Sequence, residues 1–215
     1  MKKTVLTALA GLLLASATWG QKKLTEATIY YDIVINTGND KPSKAGMLDG
    51  ATNITYLKGN DSRADMISSL GSESVIIDGK TGGVTILKDY GEKYMMKLTA
   101  ADWKNYNKKY EHISYTIENE FKTIANYNCQ KAVGKLSDGT TFTVYFTKDL
   151  VPVNTEFLYI NKNLPGLVME YEASNGKTKV TNTVSSIDFG AVPLSKFDLP
   201  ESGYRIIPSA EKSKK

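Results

Sequence analysis

From Ala27 onward the chain is cut into short runs in which β-branched and aromatic residues alternate with polar ones, and most runs end at Gly, Asn or Asp. No other feature limits the fold as strongly. A period of two sends alternate side chains to opposite faces of a strand, and frequent turn residues leave room for hairpins rather than long crossovers. In residues 27–36, Ala27, Ile29, Tyr31, Ile33 and Ile35 fall on one side and Thr28, Tyr30, Asp32, Val34 and Asn36 on the other. Strand-like runs follow at 53–57, 63–70, 75–78, 84–87, 94–98, 115–125, 126–136, 141–147, 167–172 and 179–187. In 141–147, Phe142, Val144 and Phe146 share a face opposite Tyr145. Asp138-Gly139 supplies the positive φ that a tight hairpin needs, and Gly59-Asn60-Asp61 and Asn175-Gly176 are further turn signals.

One segment reads as a helix. Thr99 stands as the cap before residues 100–111, with Asp102 three positions on, and Trp103, Tyr106 and Tyr110 recur at helical spacing. Two stretches have no clean period. Residues 37–51, with Pro42 and several glycines, read as an exposed connection; residues 150–163, with Pro152, read as a long excursion holding a short helical turn. Excursions of that length often serve as binding loops or lids. Residues 189–200, with two prolines, read as an ordered crossover.

Nine to eleven short strands and one clear helix predict a mainly β fold: a single strongly curved antiparallel sheet forming a half-barrel, covered on its concave side by one or two helices and the long loops. The domain spans 21–207. Residues 1–20 read as a signal peptide, with Lys2-Lys3, an apolar run over 5–17 and small residues at Ala15, Ala17 and Gly20. Residues 208–215 read as a flexible tail. No later apolar run approaches the ~20 residues of a membrane span, so nothing membrane-spanning is expected after cleavage. The protein is thus expected in the periplasm, or alternatively secreted.

The formal charge of +4 includes Lys2 and Lys3, and much of the rest lies at Lys212, Lys214 and Lys215, so no basic stripe points to nucleic acid. Cys129 is the one cysteine and reads as a small buried hydrophobe. His112 is the one histidine, at the end of the helix, and nucleophilic catalysis lacks an evident base. Zinc would need several Cys or His ligands, and no phosphate-loop motif occurs, so neither metal nor cofactor is expected. Glu118 and Glu120, and Glu170 and Glu172, lie two apart as on one exposed strand face. Hydrolysis ranks last among the functions considered.

Several stretches resemble a known family. Asn128-Cys129-Gln130-Lys131-Ala132, Asp138-Gly139 with Tyr145-Phe146-Thr147-Lys148-Asp149-Leu150, and Asn163-Leu164-Pro165-Gly166-Leu167-Val168-Met169-Glu170 are similar to the GLPGLI family of exported Bacteroidota proteins and its relatives. Phe197, Pro200 and Gly203 match the Phe-x-x-Pro-x-x-Gly ending of those proteins and of periplasmic lipoprotein carriers. Asn163 replaces the first Gly of the name-giving motif and Val168 its final Ile. The resemblance implies a lipoprotein-carrier-like half-barrel. A curved sheet with a partly covered apolar interior suits a hydrophobic or amphiphilic ligand such as a lipid or lipoprotein. The expected walls are Phe142, Val144, Phe146, Leu167, Met169 and Tyr171, with Met95, Met96, Trp103 and Tyr106 as cover. The alternative is a cell-envelope module that binds a protein or a glycan through its aromatic residues.

Overall fold

The computed structural model describes residues 21–36, 51–175 and 178–208. The expected signal peptide over 1–20, nearly all of the expected connection over 37–51, the expected turn at Asn175-Gly176 beyond Asn175, and the expected tail beyond Pro208 lie outside the described residues. The first half of the chain forms β1 (Lys22–Leu24), β2 (Glu26–Asn36), β3 (Thr52–Lys58), β4 (Asp61–Ser68), β5 (Gly71–Ile77), β6 (Val84–Asp89), β7 (Lys93–Leu98) and helix α1 (Ala100–Tyr106). The second forms β8 (Ser114–Ile124), β9 (Tyr127–Lys135), β10 (Thr141–Thr147), β11 (Leu150–Pro152), β12 (Leu167–Asn175), β13 (Thr178–Asp188) and β14 (Arg205–Ile206). Short 3₁₀ segments lie at Lys108–Tyr110, Glu156–Asn161 and Leu194–Phe197.

Twelve strands make one sheet in the order β14-β7-β6-β5-β4-β3-β2-β13-β12-β10-β9-β8. The order describes two meanders, one running outward from β2 and one from β13, joined where β13 pairs antiparallel with β2 from Lys179↔Asn36 to Asp188↔Thr28. Cα atoms of β8 and β13, four strands apart, approach within 8 Å, whereas a flat sheet would hold them about 19 Å apart. The register shifts at Tyr145/Phe146, Val184/Ser186 and Ile117/Phe121, and irregularities of this kind bend a strand and raise its local twist. The sheet stays open, with β8 and β14 as its edges. The mainly β, half-barrel architecture expected from the alternation is therefore present.

Two details differ from a single antiparallel sheet. The last strand, β14, lies parallel to β7, and β1 pairs with β11, also parallel, as a separate two-stranded sheet. Lys22 and Leu150 are far apart in sequence, and a three-residue pairing has no period to display. The helix is also shorter than 100–111. It stops at Tyr106 because Asn107 leaves helical geometry (φ −97°, ψ 13°) and turns its side-chain amide back onto the Trp103 carbonyl at 3.0 Å.

The inner face closes on its own side chains. Ala27, Ile29 and Tyr31 of β2 pack with Leu57, Val184, Leu167 and Met169, and Leu24 and Leu150 of the small parallel sheet complete this core. Strands β5 to β7 are covered on both faces, which explains their continuous apolar runs. Ile77, Val84, Ile86, Met96 and Leu98 lie beneath Trp103 of α1, while Ile76, Leu87 and Met95 lie on the far side against Tyr204. The crossover after β13 runs on that far side rather than over the concave face. It is tied down there by Lys58 Nζ donating to the Val192 carbonyl at 2.9 Å, Arg63 to the Lys196 carbonyl at 2.9 Å, and the Val192 N–H donating to Glu26 at 2.7 Å.

The Leu164-Pro165-Gly166-Leu167 stretch has a steric reason for its glycine. A Cβ on Gly166 would meet the Thr147 carbonyl oxygen at 1.9 Å, and Thr147 is wholly buried in the adjoining strand. Gly139, by contrast, has positive φ (87°) and open space around it. Gly166→Ala is expected to cost about 2 kcal/mol or more, and Gly139→Ala about 1 kcal/mol. Urea unfolding of the two variants tests this ranking.

Candidate functional site

The concave interior is largely filled, and the open hollow sits beside it. Helix α1 and the Lys108–Tyr110 turn cross the inner face of β5 to β7, and the Glu156–Asn161 segment approaches from the other meander. Between them lies a cavity of about 510 Å³, within the range typical of small-ligand sites. Its apolar and aromatic lining comes from Ile77, Ala100, Trp103, Tyr110, Tyr159 and Ile160. Its charged and polar lining comes from Lys104, Glu111, His112, Glu156, Lys162 and Asn163.

Local chemistry fixes these walls. Thr99 and Asp102 form the expected capping box: the Thr99 hydroxyl accepts from the Asp102 N–H at 3.1 Å, and the Asp102 carboxylate accepts from the Thr99 N–H at 3.1 Å. The Thr99 hydroxyl also donates to that carboxylate at 2.8 Å, and this bond, followed by the one from the Thr99 N–H, holds the carboxyl of Asp102 below its ordinary value. Trp103 stacks on Tyr106 at 5.6 Å and meets Tyr159 edge-on at 6.2 Å, so the two halves of the chain touch across the cavity through aromatic rings. The Trp103 indole N–H is buried and finds no hydrogen-bond acceptor among the described residues. Tyr115 of β8 donates its hydroxyl to the Ile160 carbonyl at 2.9 Å, anchoring the 3₁₀ segment from below, and burial pushes that phenol's pKa up.

Of the residues singled out from sequence, Trp103 lines this cavity. Tyr106 stacks behind it and is about half exposed. Met96 packs beneath Trp103, and Met95 points to the opposite face of β7. Phe142, Val144 and Phe146 pack with Ala132, Leu164 and Val168. Leu167 and Met169 are wholly buried in the main core. Tyr171 lies between these two clusters, where it faces Tyr31 edge-on at 6.3 Å and accepts from Asn53 at 3.3 Å; burial pushes its phenol up to about 12. The sequence reading missed Tyr159, Ile160, Glu156 and Lys162. Their one signal was membership of the aperiodic 150–163 excursion.

Cys129, Glu118, Glu120 and Glu170 have structural partners. Cys129 is wholly buried, its thiol hydrogen-bonded to the Tyr127 carbonyl at 3.3 Å, and burial pushes its pKa up to about 11. His112 is exposed at the cavity rim with φ 66°. Glu118 and Glu120 both clasp Lys131, at 3.1 and 2.9 Å. Glu170 is held by Lys122 at 2.6 Å and by the Thr183 hydroxyl at 2.9 Å. Among the described residues no group of three His, Cys, Asp or Glu is placed to hold a metal, and no helix is long and apolar enough to cross a membrane.

No protein-family model and no curated protein matches the chain. Among solved structures it is similar to PNGF-II in two crystal forms, at 16% identity, with TM-scores of 0.49 and 0.50 over 85% and 86% of this chain. It spans only 30% and 31% of those PNGF-II chains. It is also similar to an uncharacterized conserved protein from Thermus thermophilus, at 7% identity and a TM-score of 0.48, covering 86% of this chain and 91% of that one. Identities this low speak to the fold alone.

Two outcomes test the site's construction. Thr99→Ala removes the cap and is expected to cost about 1 kcal/mol in urea unfolding. Native Cys129 is expected to resist iodoacetamide at pH 8 and to react once the chain unfolds. Because the folded thiol titrates above its ordinary value, the stability it lends is present below that value and is lost as the pH rises through about 11.

Proposed function

We propose that this chain is an exported, non-enzymatic binding or carrier protein that holds a hydrophobic or amphiphilic ligand in the cavity between α1 and the Glu156–Asn161 segment. The observation that carries this reading is the cavity itself: about 510 Å³ of open space, floored by Ile77, Ala100, Trp103, Tyr159 and Ile160 and rimmed by charge. Apolar burial at about 25 cal/mol per Å² lets an alkyl chain supply the driving force without a specific polar contact. The site is smaller than a fully hollow half-barrel would offer, because the main core fills the centre with Ile29, Leu57, Leu167 and Met169. The ligand would therefore rest against the roof rather than thread the barrel.

A passive role is supported by how the reactive groups are distributed. The Cys129 thiol packs in the main core, His112 lies at the rim of the cavity, and Glu118, Glu120 and Glu170 are engaged with lysines. Export to the periplasm, or beyond it, is the compartment that the N-terminal pattern of residues 1–20 supports. The similarity of residues 163–170 and of the closing stretch to GLPGLI-type proteins supports the same placement.

The chain has two tryptophans, Trp19 and Trp103, so Trp19→Phe leaves Trp103 as the only indole whether or not residues 1–20 are removed. Titrating that variant with lauric acid is expected to shift Trp103 emission to shorter wavelength, saturating at one ligand per chain. Absence of any emission change, together with no lipid retained in native mass spectrometry of protein from its own envelope, would count decisively against the carrier role.

A further inference from the structure

The mouth of this cavity carries charges that a purely apolar site would not need. Lys104 Nζ stands 3.7 Å from Glu111, and Lys162 Nζ stands 3.7 Å from Glu156. Both separations exceed the ~2.8 Å of a charge-assisted hydrogen bond. Lys104 is 72% exposed and Glu156 48% exposed, so these are loose pairs that contribute little and exchange partners at low cost. Positive and negative charges are matched at the mouth, two of each.

One of the pairs also involves an aromatic ring. The Lys162 ammonium lies 4.1 Å from the centre of the Tyr159 ring, and the same ring meets Trp103 edge-on. An aromatic face beside a carboxylate is a recognition element for ammonium groups, and here the protein's own lysine occupies it. A ligand bearing one charge would neutralise half of a pair and strand the other half. A ligand bearing both charges can exchange with the pair as a whole.

We infer that the cavity selects amphiphiles whose head group is zwitterionic. The ligand's ammonium takes the place of the Lys162 Nζ over Tyr159 and beside Glu156, and its anionic group pairs with the displaced Lys162 and with Lys104. The tail lies along Ile77, Trp103 and Ile160. This assignment of head-group class rests on the carrier reading above.

The test is calorimetric titration of the full chain with four amphiphiles sharing a dodecyl tail, each below its micellar concentration: dodecylphosphocholine, dodecyl sulfate, dodecyltrimethylammonium and dodecyl maltoside. Dodecylphosphocholine is expected to bind roughly ten-fold more tightly than the maltoside. Glu156→Gln should erase most of that advantage over the maltoside. Equal affinity for all four, or preference for either singly charged head group, overturns the head-group assignment while the carrier role stands. A phosphocholine preference that survives Glu156→Gln overturns the placement over Tyr159. If none of the four binds, the carrier reading fails along with it.

Discussion

The architecture depends on the ladder between β2 and β13. Each meander is built from neighbouring hairpins and can assemble from local contacts, but neither has its full complement of strands on the inner face until the two are paired edge to edge. The pairing joins residues near the start of the described chain to residues near its end, Thr28 to Asp188 and Asn36 to Lys179. Closing so long a loop is entropically costly, and the cost is recovered through burial. Ile29, Tyr31 and Val184 are among the least exposed residues of the chain and lie along this ladder. The bulge at Val184/Ser186 lies within it, so the place where the halves meet is also a place where the sheet bends.

Curvature then decides what is left open. Bending brings β8 back toward β13, and the small parallel sheet of β1 and β11 adds Leu24 and Leu150 to the middle of the inner face. A surface that could have been a hollow becomes a packed core. The first meander extends past that core, and its inner face over β5 to β7 requires a separate cover. Helix α1 and the Glu156–Asn161 segment supply it without meeting completely, and the cavity is the space between them. The ligand-sized opening is thus a by-product of two covers drawn from opposite halves of the chain, joined chiefly through Trp103 and Tyr159.

The opposite face of the second meander explains the acidic pairs. Glu118, Glu120 and Lys131 form one group of ion pairs across β8 and β9, and Lys122, Glu170 and Thr183 another across β8, β12 and β13; Tyr145 of β10 links them, donating its hydroxyl to Glu120 while Lys122 lies over its ring at 3.9 Å. Cross-strand pairs of this kind help to set register where a bulge has disturbed it. Carboxylates spaced two apart look like candidates for acid–base chemistry when read along the chain, but across the sheet Glu118, Glu120 and Glu170 are lysine partners.

Local order was written in the sequence because it depends on near neighbours. Alternation marked β2, β3 and β10, Asp138-Gly139 marked its hairpin, and Thr99 with Asp102 marked the start of α1. The mainly β curved sheet follows from those signals and from the width they imply. Other features had no local signal. The β1–β11 pair joins short segments far apart in the chain. The apolar faces of β10 and β12 could be recognised as buried, but whether they lined a hollow or filled it depended on what the curl brought opposite them. Alternation specifies that a face leaves water; only the tertiary arrangement determines what it meets there, and so Leu167 and Met169 became core while Tyr159 and Lys162 came to line the opening.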